Sequence, residues 1–224
     1  MRFKTLALVA LLLAVFSNPG MAKKAKTGYE KDGVFADSSF SYQFQVPFNW
    51  KVKTYNEPSL LRATLIKTKL ENPPAGAGQS YIEGDRYTPV ITVLADTTSL
   101  TLDQFLERLM AQKGELPNAK EFMKRLDLLL LSTIEKRIEI EVDSARAVQY
   151  NLQKKHLKVV HDPRRRNYGA ETDEVVVEEA LLGQITALKR GNNIFIIQSV
   201  GEKDTFQFEE RDYKQLFDNW DFTN

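Results

Sequence analysis

The 224-residue chain has no cysteine and only two histidines. Without a thiol there is no disulfide framework, no thiolate zinc or iron–sulfur site, no cysteine nucleophile, and no cysteine to carry a lipoprotein's lipid. A dominant charge is missing too: 31 Lys and Arg stand against 30 Asp and Glu, for a net charge of +1. So balanced a chain gives no electrostatic reason to expect nucleic acid as a partner. The common catalytic signatures are absent, with no G-x-S-x-G, H-E-x-x-H or P-loop. Gly76-Ala77-Gly78 lacks the third glycine and the following helix of a dinucleotide site. No cofactor is therefore expected. What is present, 42% hydrophobic and 27% charged residues, is the balance of a folded chain rather than a disordered one.

The longest apolar run sits at the start. Arg2 and Lys4 precede Leu6–Phe16, which is apolar throughout; Asn18 and Pro19 break it, and Gly20-Met21-Ala22 supplies small residues. This is the pattern of a secretory signal over 1–22. The run would span only about 16 Å as a helix, against a hydrocarbon core of about 30 Å, so no transmembrane span is expected. There is no twin arginine, which implies passage unfolded and without a preloaded cofactor. Cleavage would remove Arg2 and Lys4 and turn the net charge from +1 to −1. The expected location is outside the cytoplasm, in the periplasm or beyond the cell. Residues 23–37, with Lys23, Lys24 and Lys26, are polar and aperiodic and read as a flexible lead.

From 38 to 222 the pattern is that of one domain. Phe40, Tyr42, Phe44 and Val46 alternate with Ser39, Ser41, Gln43 and Gln45, which predicts a strand with one buried face. Pro47 ends it, and Asn49 stands in the turn before a second extended run from Trp50. Leu60–Lys67 is a third run, followed by a long connection from Thr68 to Arg86. The β-branched run Val90–Leu94 predicts a strand covered on both faces. Thr101 and Gln104 fit a capping box for a helix carrying Leu102, Phe105, Leu106, Leu109 and Met110 on one stripe. A further helical turn or two is expected within 119–131, with Leu128–Leu131 equally suited to open a strand. Alternating Ile138, Ile140 and Val142, then Val148, Tyr150 and Leu152, predict strands, as does Val175–Leu188, with a bend at Gly183. Gly191-Asn192 reads as a hairpin turn into Ile194–Ile197, and Tyr213, Leu216, Phe217 and Trp220 as a closing amphipathic helix. The expected fold is α+β: a three-layer α/β/α sandwich around a mainly antiparallel sheet of about six strands.

Two segments carry a family resemblance. Phe40–Val52 (FSYQFQVPFNWKV) resembles the opening of the PsbP-like superfamily, where an aromatic strand runs into a V-P-x-x-W turn. The ending is similar as well: a hairpin into Ile194–Glu202 (IFIIQSVGE), then a helix reaching Asn219-Trp220-Asp221-Phe222. That superfamily includes the extrinsic subunit of photosystem II, a Ran-binding nuclear import factor and exported bacterial proteins. The resemblance implies the same sandwich and a non-enzymatic binding role. It implies no site residue, because its motifs are packing motifs.

Candidate sites are few. His156 and His161 alone offer imidazole chemistry, and one metal takes both only if the chain turns between them. Arg164, Arg165 and Arg166 with Tyr168 form a basic cluster with an aromatic, suited to carboxylates or phosphates on a partner, although Glu171, Asp173 and Glu174 follow closely. The expected function is an exported, non-catalytic binding or assembly module of the bacterial cell envelope, acting on an envelope protein or a small ligand. The alternatives are a periplasmic hydrolase or metal-binding protein using His156 and His161, and a small-ligand or lipid carrier.

Overall fold

The computed structural model describes residues 24–71, 86–111, 116–126, 128, 132–161, 172 and 174–223. The signal-like segment 1–22 and most of the 68–86 connection lie outside the described residues. Eleven strands are described: β1 (Tyr29–Lys31), β2 (Val34–Asp37), β3 (Tyr42–Gln45), β4 (Trp50–Thr54), β5 (Leu61–Lys67), β6 (Val90–Thr97), β7 (Ser132–Val142), β8 (Ala145–His161), β9 (Glu174–Arg190), β10 (Asn193–Glu202) and β11 (Trp220–Asp221). Three helices accompany them, α1 (Leu102–Ala111), α2 (Ala119–Arg125) and α3 (Phe206–Asp218). The strands form a four-stranded sheet, β1-β2-β3-β11, and a seven-stranded sheet, β4-β5-β6-β10-β9-β8-β7. Pairing is antiparallel in both, and the class is α+β.

Period-two alternation divides the large sheet between two cores. On β10, Phe195 and Ile197 enter one apolar cluster while Ile194, Ile196 and Val200 enter the other. β6 behaves likewise, with Ile91, Val93 and Ala95 on one side and Leu94 on the other. The first cluster takes in Tyr213, Leu216 and Phe217 of α3 and the aromatics of the small sheet. The second takes in Leu102, Phe105, Leu106 and Leu109 of α1 and Phe122 of α2. The β-branched run is thus covered on both faces, as its composition requires. α1 starts in the expected capping box: Gln104 N donates to Thr101 Oγ1 at 3.2 Å, and Thr101 N to Gln104 Oε1 at 3.0 Å.

Several expectations are corrected. Residues 23–37, read as a flexible lead, contain β1 and β2, and Phe35 is fully buried. The turn between them has Asp32 at φ 53° and Gly33 at φ 77°, the left-handed pair of a tight hairpin. The aromatic strand begins at Tyr42 rather than Ser39, because Ser38–Ser41 turn the chain and Ser41 takes φ 53°. Trp220 leaves the closing helix for β11, where it pairs across from Phe44. The large sheet has seven strands rather than about six. Gly183 keeps β9 in unbroken register with both neighbouring strands. It lies against the Leu128 side chain and the Ser199 carbonyl, where any Cβ would collide with both.

Candidate functional site

Buried charge is the first place to look for chemistry; besides the Arg86–Glu202 pair at 3.4 Å, two clusters stand out among the described residues. Arg62, 1% exposed, donates from Nε to Asp37 Oδ2 at 2.7 Å and from Nη2 to Asp37 Oδ1 at 3.2 Å. Its Nη1 reaches Glu57 Oε2 at 3.1 Å and the Ser59 carbonyl at 2.7 Å; Nη2 reaches Glu57 Oε1 at 2.5 Å and the Thr27 carbonyl at 3.2 Å. The Phe40 ring covers the guanidinium carbon at 4.7 Å. The hydrogen bonds from Arg62 hold the Glu57 carboxyl below its ordinary range. Every direction of the guanidinium fork is used by the protein itself. It fastens the β1–β2 segment and the Glu57–Ser59 turn onto β5 and leaves no donor for a ligand.

The second cluster lies beneath α3. Lys67 Nζ donates to Asp212 Oδ2 at 3.1 Å and to Glu209 Oε1 at 3.4 Å. Trp50 Nε1 also donates to Asp212 Oδ2, at 2.9 Å. Burial pushes the Glu209 carboxyl up, and its Oε2 has no hydrogen-bond partner among the described residues. Asp212, which accepts from both Lys67 and Trp50, is therefore the principal partner of the lysine. Asp212→Asn is expected to cost about 3 kcal/mol, because it leaves a buried ammonium poorly compensated. Glu209→Gln is expected to cost under about 1 kcal/mol, since a raised pKa marks a carboxylate the fold does not favour in its charged form. Urea unfolding of both variants at neutral pH checks the order; equal losses would contradict it. Both act as structural fasteners, although Arg62 and Glu57 also line a cavity of about 570 Å³ with Asp96, Asn118, Glu121 and Arg125.

The exposed part of the molecule is more informative. β8 pairs with β7 only as far as Lys154↔Ser132, and β9 pairs with β10 only as far as Leu181↔Glu202. β8 and β9 continue together, from Lys155↔Ala180 to His161↔Glu174, with no third strand beside them among the described residues. This makes a two-stranded arm about 20 Å long, at about 3.3 Å per residue. Leu157 is 65% exposed, Val159 48% and Val176 65%. Val159 and Val176 are direct cross-strand partners, and Leu157 lies two residues along the same face. An isolated two-stranded ribbon is marginally stable, so an arm presenting clustered aliphatic side chains is a surface suited to contact.

Of the residues singled out from the sequence, His156 and His161 both lie on the arm. β8 runs unbroken through both positions, so the turn a shared metal needs is not there. The His156 ring meets Tyr87 edge-on, with centroids 6.1 Å apart. No group of three metal-ligating side chains occurs among the described residues. Zinc at saturating concentration is expected to leave the unfolding midpoint unchanged, whereas a real site at 100 times its Kd would add about 2.7 kcal/mol. Arg164, Arg165, Arg166 and Tyr168 lie outside the described residues, in the stretch joining the strands of the arm. No helix among the described residues is long and apolar enough to cross a membrane. A cavity of about 530 Å³ opens between α3 and the β7–β9 surface, lined by Ile138, Ile140 and Phe217 and by the amides of Gln149 and Gln184.

The arm itself is absent from the sequence reading. It comes from a mismatch in strand lengths that only the pairing shows: β8 and β9 are 17 residues each, and β10 has 10. Strands that outrun their neighbours must pair with each other alone or not at all.

No family model matches the chain, and no curated protein matches it in sequence. Solved structures do match it in shape. LpqN of Mycobacterium tuberculosis, involved in cell envelope biogenesis, is similar at TM-score 0.44 and 9% identity, covering 91% of this chain and 94% of that one. Cyanobacterial PsbP of Synechocystis sp. PCC 6803 is similar at TM-score 0.44 and 10% identity, over 92% of this chain and 97% of that one. The protein Mog1 is similar at TM-score 0.42 and 7% identity, over 89% and 97%.

Proposed function

We propose that the protein is an exported, non-catalytic binding or assembly module of the cell envelope, and that the β8–β9 arm is its contact surface. The observation that carries this reading is the arm's apolar face: Leu157, Val159 and Val176 stand exposed on a ribbon that no other described element covers. The non-catalytic part is supported by the Lys67 cluster, whose charged groups are directed at one another, and by Arg62, whose donors are all taken within the protein. The envelope setting rests on the signal-like pattern of 1–22. In this reading the fold is a three-layer α/β/α sandwich, with α1 and α2 on one face of the large sheet and α3 beside the small sheet on the other. The two separate core clusters support it. The reading keeps Arg164, Arg165, Arg166 and Tyr168 as partner-contacting residues on the sequence alone.

The test is the double variant Leu157→Asp, Val176→Asp. Both side chains are exposed, so unfolding free energy is expected to stay within about 0.5 kcal/mol per site. Capture of envelope components by the immobilised variant is expected to fall at least tenfold against the parent protein. Undiminished capture with the fold intact would refute the arm as the contact surface.

A carrier role has one observation in its favour, the cavity beside α3 with its apolar wall of Ile138, Ile140 and Phe217. Native mass spectrometry of the exported protein would reveal a retained ligand.

A further inference from the structure

We infer that the cavity between the β5–β6–β10 surface and the end of α2 binds a small phosphate monoester, a reading that does not depend on the arm. Within the face of the large sheet that carries Leu61, Leu94, Ile196 and Val200, a polar row crosses four strands. Register sets Lys53 of β4 opposite Thr64 of β5, Thr64 opposite Thr92 of β6, and Thr92 opposite Gln198 of β10. Directly paired residues share a face, so the row is continuous. A cavity of about 300 Å³ opens on it, lined by Thr64, Thr92 and Gln198 and walled by Leu61, Val90 and Val200. Thr92 is 9% exposed, and its hydroxyl makes no hydrogen bond among the described residues. A hydroxyl so buried costs free energy unless something in the cavity pairs with it. Tyr55, also in the lining, and Thr64 share a single hydrogen bond at 2.8 Å, which leaves one of their two protons to donate elsewhere.

The charge around this cavity has one sign. Lys124 and Arg125 belong to its lining, and no carboxylate does among the described residues. Arg125 gives only its Nε to Glu121, at 2.8 Å, and Lys124 stands exposed with no hydrogen-bond partner among the described residues. Lys53 adds a further cation, its ammonium 5.6 Å from the centre of the Tyr55 ring. The neighbouring cavity beside Arg62 shares Arg125 but carries Glu57, Asp96 and Glu121, so an anion is drawn to this one. Hydroxyl donors and several cations suit a group that only accepts hydrogen bonds and carries more than one negative charge. A phosphate monoester has three such oxygens and a charge near −2, whereas a carboxylate has two oxygens and a single charge. The aliphatic wall suits a short organic body on the ester oxygen, and the volume is at the small end for ligand sites.

Titration of the isotope-labelled protein with n-butyl phosphate, followed by amide chemical shifts, tests this. Saturable shifts centred on Thr64, Thr92 and Gln198 are expected, and none from n-butanol, which lacks the anion. Inorganic phosphate is expected to move the same amides with weaker affinity, since it leaves the aliphatic wall bare; equal affinity would overturn the organic body as part of the ligand. Thr92→Val is expected to weaken binding about tenfold, the weight of one hydrogen bond to a charged group, and Thr92→Ser to restore it. Lys124→Gln, at an exposed position where the fold is not at risk, is expected to weaken it about threefold. No shifts, shifts confined to surface lysines, or affinity unchanged in both Thr92→Val and Lys124→Gln overturn the site.

Discussion

Arg62→Met is expected to lower the unfolding free energy by about 3–5 kcal/mol, the range for breaking a buried ion pair by removing one partner. The methionine fills much of the space but leaves Asp37, itself 1% exposed, as a buried carboxylate without its guanidinium. It also frees the Thr27 and Ser59 carbonyls that Arg62 holds, so the β1–β2 hairpin and the Glu57–Ser59 turn lose a common anchor. For a chain of this size the midpoint should fall by roughly 10 °C. Arg62→Lys should recover only part of the loss, because one ammonium cannot face two carboxylates and two carbonyls in the planar fork. Acid acts on the same cluster. Glu57 is depressed in the fold, so its stabilisation is complete above its unfolded pKa and is lost as pH falls through its folded value. Glu57→Gln should flatten that part of the acid limb. A loss below about 1 kcal/mol for Arg62→Met would show that the cluster is not the fastener described.

Trp220→Ala is the second large effect, expected at about 3–5 kcal/mol for truncation of a buried aromatic. The indole stacks on Tyr42 at 4.6 Å and on Phe44 at 5.5 Å, and meets Phe195 edge-on at 5.9 Å. It therefore ties the last strand to the small sheet and the small sheet to β10 of the large one. Few neighbouring groups can collapse into the void, since the surrounding rings are held by one another. Trp220→Phe should cost much less, under about 1.5 kcal/mol, as it keeps an aromatic in place. It also removes an indole N–H that has no acceptor among the described residues. If the two substitutions proved equally costly in urea unfolding, the cavity explanation would fail.

Of these two anchors one was legible in the sequence and the other was not, and the reasons are physical. The Tyr42-Phe44 stripe and the Trp220 region declare themselves through periodicity, which burial demands. Arg62 does not: a lone arginine in a strand looks like surface, and its burial depends on Asp37 and Glu57, distant in the sequence and brought together only by the fold. The β1–β2 hairpin was overlooked although Asp32-Gly33 is a hairpin signal, because its strands are short and the flanking residues polar. The helix from Thr101 was legible because its cap, stripe and end are all local. The arm is the opposite case. Leu157, Val159 and Val176 carry ordinary strand composition, and their exposure follows from where β7 and β10 stop, which is a property of pairing rather than of pattern. The alternative of a metal shared by His156 and His161 stayed open in the sequence for the same reason, since whether the chain turns between them is decided by the pairing of β8.

The most direct measurement is photo-crosslinking in cells, with the reactive side chain placed at Leu157, at Val176, or at the exposed Lys51 on the far edge strand β4 as a comparison. The account predicts crosslinked adducts from the two arm positions and none above background from Lys51. Adducts from Lys51 alone, or equal yields from all three, would contradict the arm as the surface through which this protein acts.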